Sequence, residues 1–242
     1  MIYVYVGASI FMGKITLICL PYAGGSSIIY IPFKRYINVN VKLLPIELRG
    51  RGTRISENLC QSFDEMIEDI INEILKNDIE NYAVFGYSMG GTLAYEVAFE
   101  LENKLGNSAR AMFFAGSVPP HVLNDNKNTH LIDSDDEELV QYLEGFGGIP
   151  KDFKKFPKLL EIFLPIIRSD LKVFHNYIYK KHKKLNSDIH ILYSDEDNGN
   201  NEIFKWKEYT SKICRFYRFE GGHFFINHYL KKIIDVINKV LI

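Results

Sequence analysis

Short apolar runs alternate along this chain with longer stretches in which apolar positions recur every three or four residues. Ile15–Leu20 is a short, almost continuous apolar run, the pattern of a strand buried on both faces of a sheet. Residues 40–45, 82–86, 109–115, 189–193 and 213–219 read as further strands. Between them, Phe63, Met66, Ile67, Ile70, Ile71, Ile74 and Leu75 fall at helical spacing behind a capping box, Ser62-Phe63-Asp64-Glu65. Met89–Leu105, residues 202–209 and residues 229–242 carry helical patterns as well. Alternation of this kind predicts an α/β fold with a mostly parallel central sheet and helices on both faces.

One stretch breaks the rhythm. Residues 119–184 contain helical patterns, a Gly-Gly and several prolines but no strand, so they are expected to form a helical lid over the carboxyl edge of the sheet. The whole chain, 1–242, is then one domain with 119–184 as an insertion. The basic run Lys180-Lys181-His182-Lys183-Lys184 reads as a solvated turn after a helix.

Composition narrows the function classes. With 29 basic and 30 acidic side chains the net charge is −1, which argues against nucleic acid or an anionic membrane surface as the main partner. No apolar run reaches the roughly 20 residues that a membrane-spanning helix needs. The apolar first 11 residues lack the basic start of a signal peptide, and Met12 could equally be the natural start. Three scattered cysteines, Cys19, Cys60 and Cys214, make neither a disulfide framework nor a zinc site, so a soluble cytoplasmic protein with reduced thiols is expected. No sustained heptad pattern is present, and a monomer is the expected state.

The chemistry-bearing pattern is Gly86-Tyr87-Ser88-Met89-Gly90, set between a strand and a helix. Such an elbow lifts the serine hydroxyl out of the sheet, and its glycines are required because a side chain there would strike neighbouring backbone. Serine needs a base to remove its proton. His223, in Glu220-Gly221-Gly222-His223-Phe224-Phe225 just beyond the last strand, has the placement for that role. An acid to orient the imidazole is expected after the preceding strand, where Tyr193-Ser194-Asp195-Glu196-Asp197 offers three carboxylates. Asp197 fits best and Asp195 is the alternative. The oxyanion needs two N–H donors. Met89, after the nucleophile, supplies one; the other is expected from the Leu20-Pro21-Tyr22-Ala23-Gly24-Gly25-Ser26 loop, at Ala23 or, failing that, Tyr22. That loop lacks both the Walker lysine and the dinucleotide-type Gly-x-Gly-x-x-Gly, so Gly24-Gly25 is not read as a phosphate cradle.

Taken together, the segments 20–26, Gly86-Tyr87-Ser88-Met89-Gly90-Gly91 and 220–225 resemble type II thioesterases, the stand-alone editing hydrolases of nonribosomal peptide and polyketide synthesis. Residues 45–52 (Pro-Ile-Glu-Leu-Arg-Gly-Arg-Gly), Gly147-Gly148-Ile149-Pro150 and Leu164-Pro165-Ile166-Ile167-Arg168-Ser169-Asp170 extend the resemblance over nearly the whole chain from Lys14. Two departures stand out: Leu48-Arg49-Gly50, where the family reads closer to Pro-Gly-Arg, and Ser194, where a glycine commonly opens the acid turn. The resemblance implies an α/β-hydrolase fold and hydrolysis of acyl groups carried on the phosphopantetheine arm of a carrier protein, through a Ser-His-Asp acyl-enzyme. It implies no metal and no organic cofactor. A general carboxylesterase or lipase, an acyl-CoA thioesterase or an acyltransferase with the same triad, and a carrier-binding protein without activity, are the rival expectations.

Overall fold

In the computed structural model, residues 14–125, 130–150, 152–198 and 201–242 are described. The apolar N-terminal run and the choice between Met1 and Met12 lie outside them. Six strands, β1 (Ile15–Leu20), β2 (Val41–Pro45), β3 (Tyr82–Tyr87), β4 (Ala111–Ala115), β5 (Asp188–Ser194) and β6 (Cys214–Phe219), form one sheet in the order β2-β1-β3-β4-β5-β6. Every neighbouring pair is parallel. Each strand therefore ends on the same edge, and the loops that follow converge there.

The period-two geometry of a strand divides the apolar side chains between two cores. From β1, Ile18 and Leu20 enter one core and Ile15, Leu17 and Cys19 the other; from β3, Tyr82 and Val84 part in the same way from Ala83, Phe85 and Tyr87. Helices α1 (Phe63–Leu75) and α2 (Met89–Leu105) cover the first face, with Met66, Ile70, Ile74 and Leu93 turned inward. The second face is covered by a 3-10 segment, Ser27–Arg35, and by the C-terminal helix through Ile233, Ile234 and Ile237. The Ser62 hydroxyl accepts from the Glu65 N–H at 3.1 Å, and the Glu65 carboxylate accepts from Gln61 N–H, so the capping box closes one residue earlier than the ideal pattern.

The insertion between β4 and β5 contributes α3 (His130–Asp133), α4 (Asp136–Phe146) and α5 (Pro157–His175), without a strand among its described residues. Helices α4 and α5 bury Leu139, Val140, Leu143, Leu164 and Ile167 against one another in a small core of their own. After β5 comes a single short turn of helix, α6 (Asp195–Asn198), and the last helix is α7 (Ile226–Leu241).

The helical segment expected at 202–209 is a 3-10 helix, Asn201–Tyr209. Its buried residues Ile203, Trp206 and Tyr209 recur every three positions, the repeat at which 3-10 side chains line up. The basic run at 180–184 follows α5 at the surface as expected, with Lys180, Lys181, Lys183 and Lys184 exposed. Lys180 pairs with Asp64 at 2.9 Å and Lys183 with Glu102 at 3.0 Å, while His182 Nε2 sits 2.7 Å from the buried Glu96 carboxylate.

Candidate active site

The elbow at Ser88 follows from sterics. Ser88 has φ 55° and ψ −120°, and it is the one non-glycine residue with positive φ among those described. A Cβ on Gly86 would run into the Gly90 carbonyl, and one on Gly90 into the Leu20 carbonyl of β1. At Gly91 it would lie 2.5 Å from Ser117 Oγ. Three glycines are thus dictated by backbone and side-chain contact around one strained serine. The strain is held by Ser88 N–H donating to Ala115 of β4 at 2.8 Å and by Gly91 N–H donating back to Ser88.

The base and acid meet from two neighbouring loops. His223 Nδ1 lies 2.8 Å from Asp197 Oδ1, and both side chains are more than nine-tenths buried. This leaves Nε2 as the nitrogen available to a reacting serine. Of the three carboxylates after β5, the structure brings Asp197 to His223. Asp195 turns outward and pairs with Arg218 at 2.5 Å, both half-exposed or more. Glu196 is not a free surface acid either, for it accepts the Gly221 N–H at 3.2 Å. Ser194, the departure noted above, donates its hydroxyl to the Gly221 carbonyl. Its oxygen also accepts from Glu196 N–H at 3.2 Å. The serine therefore ties the acid turn to the histidine loop, a link that glycine would not make.

Tyr87, beside Ser88, donates its hydroxyl to the His223 carbonyl. Burial holds that phenol well above its ordinary pKa, so it stays a donor. Phe146, at the end of α4, stacks its ring on the imidazole at 4.5 Å between centroids.

The loop after β1 makes a tight turn in which Gly25 N–H donates to the Tyr22 carbonyl at 2.8 Å, with Gly24 at φ +76°. Positive φ at the third residue is the mark of a type II turn and explains that glycine. Gly24 N–H donates to Asp170 at 2.7 Å, whereas Ala23 N–H has no hydrogen-bond partner among the described residues. Ala23, Met89, Ser88 and His223 border one cavity of about 220 Å³. Its remaining wall is mostly apolar and comes largely from the insertion, through Leu131, Leu143, Ile167, Leu171 and Phe174, with Tyr142 and His175 beside them. Met89 begins α2, so its N–H lies in the first turn, where helix donors have no partner within the helix.

Three further residues, Glu47, Arg51 and Asp170, border the Tyr22–Gly25 turn without having been singled out by the sequence patterns. Glu47 accepts from the Ser26 and Ser27 hydroxyls and from Ser27 N–H at 2.7–3.0 Å. Arg51 and Asp170 form a two-pronged ion pair at 2.5 and 2.7 Å with side chains 3% and 1% exposed. An acid on the apolar stripe of α5 was the available signal, since a buried charge requires a partner.

A serine elbow, a histidine–aspartate pair and free backbone donors around one apolar cavity are the parts of an acyl-transfer site. A family model described as "Thioesterase domain" matches residues 15–241. The chain belongs to the thioesterase domain family. Its sequence is 26% identical over 233 residues to linear gramicidin dehydrogenase LgrE of Brevibacillus parabrevis, covering 94% of this chain and 88% of that one. The solved structure of ClbQ from the colibactin NRPS/PKS pathway superposes on this thioesterase with a TM-score of 0.88 at 29% identity, over 94% and 97% of the two chains. The type II thioesterase BorB from the borrelidin biosynthetic cluster gives 0.85 at 30% identity, over 94% and 92%. The thioesterase has the α/β-hydrolase fold expected from its sequence. Among its described residues no helix is long and apolar enough to cross a membrane, and no group of three or more His, Cys, Asp or Glu side chains could hold a metal ion.

Proposed function

We propose that this thioesterase hydrolyses acyl groups from the phosphopantetheine arm of carrier proteins, as an editing enzyme of nonribosomal peptide or polyketide synthesis. The observation that carries the reading is the cavity on which Ser88 and the Asp197-paired His223 both open, its far wall apolar and supplied by the insertion. Type II thioesterases such as BorB, and ClbQ of an NRPS/PKS pathway, share this architecture over nearly their full length and supply the class of substrate.

In the mechanism, His223 Nε2 takes the Ser88 proton as Oγ attacks the thioester carbonyl. The oxyanion is held by the N–H groups of Met89 and Ala23. Collapse breaks the C–S bond, and the imidazolium returns its proton to the departing pantetheine thiolate. Water, deprotonated by the same imidazole, then attacks the acyl-enzyme and releases the carboxylic acid. Asp197 keeps Nδ1 protonated and stabilises the imidazolium. No step draws on a metal or organic cofactor. Residues 119–184 act as the lid of a single domain, 1–242, and the enzyme works as a cytoplasmic monomer.

The test compares acyl-loaded carrier proteins with a p-nitrophenyl ester, for wild type and Ser88→Ala. Preferred turnover of the carrier-bound thioester, abolished by the substitution, is expected. Strong ester turnover with inert carrier substrates would move the enzyme to the general esterases, and undiminished activity in Ser88→Ala would refute the nucleophile.

A further inference from the structure

The turn that presents Ala23 does not hold itself in place. Its own single hydrogen bond, Gly25 N–H to Tyr22, fixes its shape but not its position over Ser88. Position comes from two outside grips. On the sheet side Glu47 gathers Ser26 and Ser27. On the lid side Asp170 accepts Gly24 N–H at 2.7 Å and is itself clamped by Arg51, whose guanidinium also reaches the Gly25 carbonyl at 3.2 Å. Ile167, one helical turn before Asp170 on α5, packs so closely on Gly24 that a Cβ there would overlap its side chain.

We propose that Asp170, with Arg51, is a positioning residue for the oxyanion donor: it holds the Tyr22–Gly25 turn to α5 so that Ala23 N–H stays aimed into the cavity. The proposal rests on Ala23 being that donor. Every polar atom needed is accounted for. One carboxylate oxygen of Asp170 takes both Gly24 N–H and an Arg51 N–H, and the other takes the second prong. With Gly24 N–H consumed in this way, Ala23 N–H is the amide of the turn's two central residues left to face a substrate. The same helix lines the acyl cavity with Ile167, Leu171 and Phe174. Oxyanion stabilisation is thereby made conditional on the lid helix that contacts the acyl chain.

A burial this complete makes a simple Asp170→Ala variant uninformative, because it strands a buried guanidinium. The paired variant Arg51→Met/Asp170→Leu replaces the ion pair by apolar groups of similar size, which buried pairs commonly tolerate, while removing the acceptor for Gly24. Hydrolysis of hexanoyl-N-acetylcysteamine, thermal melting and inhibition by hexylboronic acid are measured together, the boronate forming a tetrahedral adduct on Ser88. Loss of one oxyanion donor costs about 10²- to 10³-fold in kcat, and a displacement near 1 Å about 10²-fold. A well-folded paired variant should therefore lose roughly 10- to 100-fold in kcat, with KM within about threefold and boronate affinity falling in step with kcat. The pair Arg51→Gln/Asp170→Asn, which keeps an acceptor for Gly24 N–H and leaves no buried charge unpaired, should fall between it and wild type, and carries the test if the apolar pair melts early.

Ala23→Pro separates this proposal from the reading beneath it, since proline suits the second position of a type II turn and lacks only the N–H. Loss of kcat in Ala23→Pro with full kcat in a folded paired variant overturns the clamp and leaves the donor standing. Full kcat in Ala23→Pro removes the donor and the proposal together.

Discussion

Neutralising Asp197 should be the most damaging conservative change next to the nucleophile, and the structure sets its size. His223 Nδ1 and Asp197 Oδ1 are 2.8 Å apart with both side chains under 10% exposed. In the acylation transition state the ring becomes an imidazolium, placing opposite charges about 4 Å apart between centres. At an effective dielectric of about 20 that attraction is worth ~4 kcal/mol. At about 1.4 kcal/mol per decade, Asp197→Asn should lower kcat by roughly 10³-fold, and more where the amide also favours the wrong tautomer. Asp195→Asn is the matched control. Its partner Arg218 is 67% exposed and Asp195 itself 50%, a surface pair worth about 0–1 kcal/mol, so kcat should stay within about twofold. Thiol release from an acyl-N-acetylcysteamine substrate, followed at saturating concentration, reads both variants. A less than tenfold loss in Asp197→Asn, or a larger loss in Asp195→Asn, would refute the assignment of the acid.

Two stability predictions follow from single residues. Ser88 pays for its φ of 55° with backbone strain, so Ser88→Gly should be more stable than Ser88→Ala by about 1–2 kcal/mol, or several degrees in Tm, although both are inactive; equal melting points would show that the elbow stores no strain. His190 is fully buried in β5 between Phe113 and Tyr217, and burial, aided by Arg215 and opposed by Asp188, lowers its pKa to about 4. Between pH 6.5 and 4 the unfolded chain binds a proton that the folded one does not, so stability falls as pH drops through that window, by at most about 3 kcal/mol, and levels off below it. Urea midpoints of wild type and His190→Leu should diverge in slope there, and parallel pH profiles would exclude this histidine as the source.

What was legible in the sequence was whatever is local. The strands are short, mainly apolar runs, α1 declares itself by spacing and its cap and α2 by spacing behind the elbow, so their limits were readable within about two residues. The last helix begins at Ile226 rather than 229 because its first turn is joined across a kink at Tyr229, a break that spacing does not reveal. The elbow was readable from its spacing between a strand and a helix, but of its three glycines Gly86 alone answers to a contact within the motif, Gly90 and Gly91 being constrained by Leu20 and Ser117. The choice between Asp195 and Asp197 was not, since it depends on whether the strand continues past Ser194 or coils. It coils, and one turn of α6 swings residue 197 inward while 195 faces Arg218. Least legible was the Arg51–Asp170 pair, whose members lie 119 positions apart. Neither segment says alone that the other will be its neighbour.

That pair bears on how the insertion takes part in catalysis. Helices α4 and α5 are packed on each other through Leu139, Leu143, Leu164 and Ile167, which favours their moving together. The pair touches the cavity's edge at two places, with Phe146 at the end of α4 stacked on the His223 ring and Asp170 of α5 holding Gly24 of the Tyr22–Gly25 turn. Under the proposed mechanism, a displacement of the two helices that admitted a pantetheine arm would therefore release His223 and the Ala23 donor in one movement. Closure over a seated acyl chain would restore both. An acyl group long enough to contact Leu171 and Phe174 has the means to favour the closed arrangement through its own burial, at about 0.8 kcal/mol per methylene. The dependence of rate on chain length should then reside in kcat as well as KM, because binding energy from the non-reacting chain is used to assemble the groups that act on the carbonyl. A series of acyl-N-acetylcysteamine substrates in which only KM changed with length would show that α4 and α5 line the site without organising it.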